Sequence, residues 1–184
     1  MKILLIDNGT KHLDSLKSLL SNHRVDVVQL FSRYPSTFGY NLIVLSGGSK
    51  IAIKVSPESF GQEIELIKNS KTPIIGICEG CEIIAYAFNS DLEKITPKAK
   101  GVKEIEAMND NFFTLPSPIK VYEAHHWAIK RLGRKLTAIA RSETGFEIIK
   151  HKSKKIYGFQ FHPEMFTDKL VGDEIFNLVI KKIT

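Results

Sequence analysis

The stretch IIGICEGCEII, residues 74–84, contains both cysteines of this 184-residue chain and decides how the fold is interpreted. An apolar, strand-like run ends at Cys78, and a helix-like run begins directly after it. Gly76 and Gly80 flank Cys78 in a G-x-C-x-G pattern, whose glycines let the backbone turn sharply and expose a nucleophile. The pattern predicts a strand–turn–helix with the Cys78 thiol at the turn.

The same residues permit two other interpretations. Cys78 and Cys81 form a C-x-x-C pair, which at a helix start can act as a redox couple. Cys78 could also be a buried, unreactive cysteine that ends a core strand. A helix N-terminus or a histidine can lower a thiol pKa from about 8.5 to about 3.5–7.5, and Cys78 is placed to benefit from the helix. A dedicated histidine elsewhere in the chain would favour the nucleophile.

Such a histidine occurs in GFQFHPE, residues 158–164. His162 and Glu164 are separated by one residue, so at the end of an extended strand their side chains lie on the same side. The carboxylate can then orient the imidazole, as in a catalytic triad. This pairing predicts a general base with its orienting group.

A pair of glycines follows another buried strand candidate, in the sequence SGGS at residues 46–49. Consecutive glycines leave backbone N–H groups free to approach a ligand. An oxyanion that forms on a carbonyl attacked by Cys78 requires such donors. We expect the backbone N–H groups of Gly48 and Glu79 to form this oxyanion hole.

Strand-like and helix-like segments alternate in the first half of the chain. The strand candidates are KILLID, VDVVQL, NLIVLS and PIIGIC, which begin at residues 2, 25, 41 and 73. Their unbroken apolar character is typical of strands buried on both faces. One helix is predicted from the spacing of Leu13, Leu16, Leu19 and Leu20, and a second from Ser56-Pro57, with Ile64 and Ile67 facing inward.

The second half has a different pattern. Strand candidates recur between residues 119 and 161 with short polar turns between them, which favours antiparallel pairing. A closing helix is predicted from the spacing of Leu170, Ile175, Leu178 and Val179. We therefore predict one α/β domain over residues 1–184, with a mostly parallel central sheet, flanking helices and an added antiparallel strand section.

Composition argues against several classes of function. The net charge is +6, but the basic residues are scattered, so no nucleic-acid interface is predicted. No apolar run is long enough for a membrane span, and two closely spaced cysteines suit a cytoplasmic protein. His125 and His126 are adjacent and would point to opposite faces of a strand, so no metal site is predicted. No phosphate-binding glycine motif occurs, and no cofactor is expected.

The cysteine turn, the glycine pair and the FHPE segment, in this order, resemble the class I glutamine amidotransferases, whose fold is flavodoxin-like. Further segments extend the resemblance over almost the whole chain and look most like the stand-alone glutaminase subunit of a two-subunit GMP synthase. These segments are IDNG, IVLSGGS, IIGICEG, ARSETGFE and YGFQFHPE.

The resemblance implies a Cys-His-Glu triad that acts on L-glutamine. Cys78 would attack the side-chain amide, His162 would transfer the proton, and Glu164 would hold the imidazole. Ammonia would leave, and water would hydrolyse the glutamyl thioester. The ammonia would pass to a separate ATP-pyrophosphatase synthase subunit, which in the GMP synthase case converts XMP to GMP.

Three positions depart from the family pattern. Glu82 stands where a glutamine usually lines the substrate pocket, and an ionised carboxylate can only accept hydrogen bonds. Glu82 is therefore protonated, or binds a cationic group such as an α-amine, or weakens glutamine binding. Trp127 replaces an aspartate that is typical of GMP synthase glutaminases, and with His126 it is expected to contact substrate. Ser49 replaces the usual proline after the glycines.

These departures keep other functions open. A γ-glutamyl hydrolase that needs no partner would be consistent with Glu82 and Trp127. A catalytically silent regulatory subunit could keep the same fold, although all three triad residues are present. Cys81 beside the nucleophile also permits a regulatory disulfide with Cys78.

Overall fold

The computed structural model describes residues 1–48, 50–108 and 117–184, so the expectation for Ser49 lies outside the described residues. The strands of this part are β1 (Lys2–Asp7), β2 (Arg24–Gln29), β3 (Leu42–Leu45), β4 (Ile74–Ile77), β5 (Asp91–Ala107), β6 (Ile119–Arg131), β7 (Leu136–Arg141), β8 (Phe146–His151) and β9 (Ile156–Phe159). Its helices are α1 (Leu13–Leu19), α2 (Gly61–Asn69), α3 (Glu79–Ala87) and α4 (Gly172–Ile183), with a short 3-10 turn at Pro57–Phe60.

One half of the sheet is parallel, as predicted. Its strands run in the order β2-β1-β3-β4-β9, and each neighbouring pair is parallel. Alternate side chains of β1 enter two different apolar clusters, Ile3 and Leu5 on one face and Leu4 and Ile6 on the other. Helices α1 and α4 cover the first face, and α2 and α3 cover the second. Among the described helices, none is long and apolar enough to cross a membrane.

The other half of the sheet is antiparallel and continues in the order β9-β8-β7-β5-β6. Strand β9 joins the halves, because it pairs parallel with β4 and antiparallel with β8. The predicted α/β fold with an added antiparallel section is therefore confirmed. The junction at β9 also determines where the GFQFHPE segment leaves the sheet.

The longest strand, β5, was not predicted from the sequence. Its 17 residues are mostly exposed, and only Leu92, Ala99 and Ile105 are buried. Its β structure is stabilised by the ladder with β6, which continues from Asp91 to Ile105 with two irregularities. Because so few of its side chains are buried, the sequence of β5 shows almost no apolar periodicity.

Several details of burial differ from the sequence prediction. Strand β2 lies at the edge of the sheet and is only partly buried, because nothing pairs with it beyond β1 in the described residues. In α2, Glu63 is fully buried, whereas Ile64 is only partly so. Leu178 of α4 is 43% exposed, and Leu170 precedes that helix.

Candidate active site

Cys78 lies at a strained turn between β4 and α3. Its backbone angles are φ 50° and ψ −107°, in a region that L-residues rarely adopt. The flanking glycines permit this geometry through close packing. A Cβ atom on Gly76 would lie 2.3 Å from the Gly80 carbonyl oxygen, and one on Gly80 would lie 2.4 Å from that of Leu45. The predicted strand–turn–helix is therefore present, and it places Cys78 at the N-terminus of the helix.

His162 and Glu164 follow β9 and form a close pair. The Nδ1 atom of His162 is 2.8 Å from Oε1 of Glu164, and both residues are 5% exposed. The backbone N–H of His162 also donates to the carbonyl of Tyr122, which ties this segment to β6. With Nδ1 engaged by the carboxylate, Nε2 is the nitrogen that can exchange a proton.

Gly47 lies between the cysteine and the histidine. A Cβ atom at Gly47 would be 3.3 Å from Cε1 of His162 and 3.5 Å from Cβ of Cys78. This spacing shows that the two side chains approach each other across the glycine loop. A side chain at position 47 would occupy the space in which they meet.

Cys78 and His162 both line a cleft of about 330 Å³. It lies beyond the carboxyl ends of the parallel strands, where α/β sheets commonly bind ligands. The lining comes from several separate segments of the chain. They contribute Thr10, Lys11 and His12; Gly48, Lys50, Ile51 and Ala52; Cys78, Glu79 and Glu82; Lys98; and Ala124, His125, His126, Trp127 and His162.

The two residues expected to form the oxyanion hole lie against each other. A Cβ atom on Gly48 would be 3.1 Å from Cγ of Glu79, so the glycine loop packs directly on the first turn of α3. The backbone N–H of Glu79 hydrogen-bonds to the Cys78 thiol. The Glu79 side chain accepts a 2.6 Å hydrogen bond from the backbone N–H of Ile53, which holds the chain after the glycine loop in place.

Glu82 lies in the cleft wall close to the nucleophile and is 2% exposed. Its Oε1 accepts a 2.9 Å hydrogen bond from the Gln160 amide, whereas its Oε2 has no partner in the described part of the chain. Burial and the neighbouring Glu79 raise the pKa of Glu82 well above its usual range. Burial also raises the pKa of Glu79 to about 7. Both carboxyls beside Cys78 therefore hold their protons more tightly than exposed glutamates do.

The Cys78 thiol differs from the expectation of a lowered pKa. Burial raises its pKa well above the ordinary range, and the carboxyls of Glu82, Glu79 and Glu164 add to the effect. The hydrogen bond from the Glu79 N–H acts in the opposite direction but is weaker. The resting group is therefore a thiol, because burial and three carboxyls outweigh the helix N-terminus.

His126 and Trp127, expected to contact substrate, both line the cleft. His126 is exposed and Trp127 is partly buried, as the alternation of a strand requires. Cys81 packs on the opposite face of the sheet from Cys78, against Gly158 of β9. Both thiols are free. The separation of the two cysteines argues against the regulatory disulfide.

Sequence reasoning missed the contribution of the loop after β1. The rings of His12 and His162 are 5.3 Å apart and nearly perpendicular, so His12 borders the His162–Glu164 pair. Burial and the neighbouring His162 lower the pKa of His12. This loop follows the carboxyl end of a predicted parallel strand, where α/β sheets bind ligands, and that position could have indicated a residue of the site. Lys98 comes from β5 and could not be placed, because that strand was not predicted.

Comparison with known proteins agrees with this architecture. The model of the family "Glutamine amidotransferase class-I" matches residues 4–182. A glutamine-hydrolysing GMP synthase subunit of Pyrococcus furiosus is 34% identical over 170 residues, which are 89% of this chain and 89% of that protein. The GMP synthase of Spiroplasma kunkelii is 34% identical over 181 residues, 95% of this chain, but the chain spans only 34% of its length.

Solved structures give the same result. A Thermoplasma acidophilum protein described as a GMP synthase subunit superposes with a TM-score of 0.87 at 30% identity, covering 100% of this chain and 94% of that one. A glutamine amidotransferase of Thermotoga maritima shares the fold, with a TM-score of 0.79 at 17% identity, covering 98% of this chain and 97% of that one. The chain therefore belongs to the class I glutamine amidotransferase family.

Proposed function

We propose that this protein is the glutaminase subunit of a two-subunit enzyme of the GMP synthase type. It hydrolyses L-glutamine and delivers the ammonia to a separate ATP-dependent synthase subunit. The observation that carries the proposal is the convergence of Cys78 and the His162–Glu164 pair on one cleft. Similarity to the Pyrococcus furiosus GMP synthase subunit over 89% of the chain supports the choice of partner.

The reaction begins with the thiol. Nε2 of His162 accepts the Cys78 proton as the sulfur attacks the amide carbon of glutamine, and Glu164 stabilises the resulting imidazolium. The backbone N–H groups of Gly48 and Glu79 receive the oxyanion. Collapse of the tetrahedral intermediate breaks the C–N bond, and the imidazolium proton leaves with ammonia. Water then hydrolyses the thioester with His162 as base, which releases glutamate and restores the thiol.

The raised pKa of Cys78 has a consequence for this sequence of steps. A thiol that stays protonated at rest must transfer its proton during the attack, so the alignment with His162 limits the rate. It also protects the enzyme from electrophiles that do not enter the cleft. Catalysis then depends on substrate binding to bring the reacting groups into line.

A partner-independent γ-glutamyl hydrolase is a second candidate, and Glu82 is the residue that favours it. Glu82 lines the cleft at the position where the family pattern has a glutamine, and its Oε2 has no hydrogen-bond partner among the described residues. A protonated Glu82 can donate one hydrogen bond, and an ionised one can only accept. The substrate of this site is therefore selected by a group unlike that of the usual family member.

Trapping with a glutamine-like diazo-ketone tests the proposal. We expect intact-mass spectrometry to show one adduct per chain, located on Cys78 and blocked by excess glutamine. Cys78→Ala should show none, whereas Cys81→Ala should label normally because its thiol packs on the other face of the sheet.

Two results would contradict the proposed function. An adduct that glutamine does not block would mean that the cleft binds another substrate. Labelling that appears only in Glu82→Gln would mean that the wild-type pocket rejects glutamine, in which case γ-glutamyl substrates become the compounds to assay.

A further inference from the structure

Three buried side chains converge beside the cleft, and one of them, His125, also lines it. Glu123 and His125 come from β6, and Glu147 comes from β8. One ligand atom from each lies within 4.8 Å of the other two, and none of the three residues is more than 2% exposed. We propose that this Glu–His–Glu cluster binds a divalent transition-metal ion of the Zn²⁺ type, with a structural role.

The orientation of His125 is that of a metal ligand. Its Nδ1 is 2.7 Å from the carbonyl oxygen of Trp127, which can only accept, so Nδ1 carries the hydrogen. In the neutral ring Nε2 then has a lone pair, and it faces Oε2 of Glu123 at 3.2 Å. Two acceptors at this distance need either a proton or a metal ion between them. An imidazole held through its other nitrogen by a carbonyl is the usual arrangement around a bound metal.

The carboxylates offer oxygens that the protein leaves unused. Glu147 accepts hydrogen bonds through Oε1 from Ser142 at 2.7 Å and Thr144 at 3.2 Å, but within residues 1–48, 50–108 and 117–184 its Oε2 has no partner. Oε1 of Glu123 also has none. A proton on Nε2 of His125 would satisfy only Oε2 of Glu123 and would leave both bare oxygens as they are. Buried polar atoms are almost always satisfied, so these two oxygens indicate a missing ligand.

Charge and size favour a divalent ion. Two carboxylates and a neutral imidazole carry a charge of minus two, which one divalent cation cancels without further protons. Tetrahedral bonds of about 2.0 to 2.1 Å separate neighbouring ligands by about 3.3 Å. The 3.2 Å between Nε2 of His125 and Oε2 of Glu123 already matches this spacing.

The cluster has a route to solvent. A surface cavity of about 460 Å³ is lined by Glu123, Ser142 and Thr144, together with side chains of β5. The first residue is a proposed ligand, and the other two hold Glu147. A hydrated ion can therefore reach the carboxylates from the surface and lose its water as it binds.

The position suggests what the ion stabilises. In the described ladders β6 pairs with β5 and not with β8, so side chains supply the contacts between β6 and β8. A metal shared by Glu123, His125 and Glu147 would join β6 to β8. It would also hold Trp127 in place, because the Trp127 carbonyl accepts a hydrogen bond from His125. Trp127 itself lines the cleft.

The test uses the full chain and Zn²⁺. Protein depleted with a chelator is dialysed against Zn²⁺, and the bound metal is measured by mass spectrometry alongside the melting temperature. We expect one ion per chain and a higher melting temperature. Glu147→Gln and Glu123→Gln should weaken binding by about 100-fold or more, since loss of outer-shell partners alone costs about 10–100-fold. His126→Gln, an exposed neighbour on β6, and Cys78→Ala should bind as the wild type.

Spectroscopy keeps the proposal testable if the glutamate variants do not fold. Co²⁺ bound to the wild type should give a spectrum without a sulfur charge-transfer band. A folded wild type that binds no metal would overturn the proposal. So would a sulfur band, or metal that is lost in Cys78→Ala and retained in Glu147→Gln, since the ion would then belong to the active-site cleft.

Discussion

At the scale of single residues, the chemistry of the site depends on carboxyls around one thiol. Glu79 and Glu82 lie one turn apart in α3, and both are nearly fully buried. Each was noticed in the sequence, one for its backbone N–H and one as a departure from the family. What the sequence could not provide was their burial, because the helix that carries them is enclosed by the core.

Glu82→Gln is predicted to lower the pKa of the Cys78 thiol. Burial is the main cause of the raised thiol pKa, and the Glu82 carboxyl is the next, because negative charge disfavours a nearby thiolate. The rise of thiolate reactivity with pH should therefore begin at lower pH in the variant. Below the thiol pKa the variant should be labelled faster than the wild type, because a larger fraction of Cys78 is then thiolate.

The measurement is the rate of iodoacetamide labelling at Cys78 as a function of pH, followed by peptide mass. Glu58→Gln, at an exposed position, should leave the profile unchanged. A Glu82→Gln profile that coincides with that of the wild type would show that burial alone controls the thiol.

Sequence motifs predicted part of the site, and the family resemblance added Glu82, His126 and Trp127. Cys78, His162, Glu164, Gly48, Glu79, Glu82, His126 and Trp127 all lie in or beside one cleft. His12 was missed, because a histidine directly before a helix-like segment carries no local pattern that indicates a ligand-facing position. The Glu123, His125 and Glu147 cluster was also missed, since the packing of β6 against β8 brings it together.

At the scale of secondary-structure elements, the turn between β4 and α3 requires glycine at positions 76 and 80, because neither has room for a side chain. Gly80→Ala is predicted to destabilise the fold by about 1–3 kcal/mol or more, because the new Cβ would lie 2.4 Å from the carbonyl oxygen of Leu45. Urea unfolding measures the change. Gly61→Ala is the matched control, since a Cβ there meets nothing within 4 Å. Alanine in that helix should be neutral or stabilise by up to about 1 kcal/mol.

An equal effect of the two substitutions would contradict this explanation. It would mean that the contact between α3 and β3 adds no cost at position 80. Loss of diazo-ketone labelling in a folded Gly80→Ala protein would instead show that the displaced helix carries Cys78 out of line with His162.

Helix α2 makes stability depend on pH through Glu63. Burial raises the pKa of this fully buried carboxyl to about 8 from an ordinary 4.5. The folded state therefore holds the proton more tightly than the unfolded chain, and stability falls as pH rises from about 4.5 to about 8. Above that range the full cost, at most about 5 kcal/mol, is present.

Glu63→Gln should remove this dependence. We expect the variant to be within about 1 kcal/mol of the wild type at pH 5 and more stable by several kcal/mol at pH 9, because an amide cannot ionise. Urea unfolding at both pH values gives the comparison, with the exposed Glu65→Gln of the same helix as control. A variant that is less stable at pH 9 would mean that the ionised carboxylate has a compensating partner.

Predictability of the elements followed their burial. Strands β1, β3 and β4 are buried along their whole length or nearly so, and their apolar runs identified them. Strand β5 shows the opposite case, since its residues are mostly exposed and charged although it is the longest strand. Long-range pairing with β6 stabilises it, and pairing of that kind leaves no periodic signal in the strand itself.

At the scale of the whole molecule, the sheet brings the two halves of the chain together at the cleft. The parallel half supplies Cys78 and the glycine loop, whereas Trp127 comes from the antiparallel half. Strand β9 pairs with both and ends just before His162. Alignment of the thiol with the imidazole therefore responds to any movement of one half against the other, which a synthase partner could produce.

This arrangement predicts that a synthase partner activates the protein. Alone it should release ammonia from glutamine slowly, since a protonated thiol reacts only when His162 is aligned. Addition of a GMP synthase-type ATP-pyrophosphatase subunit with ATP and XMP should accelerate release by about 5- to 150-fold, the usual range for coupling between sites. Cys78→Ala with the same partner is the control and should release none. Full turnover without a partner would identify a free-standing hydrolase, and failure of diazo-ketone labelling would show separately that the glutamine pocket itself was misassigned.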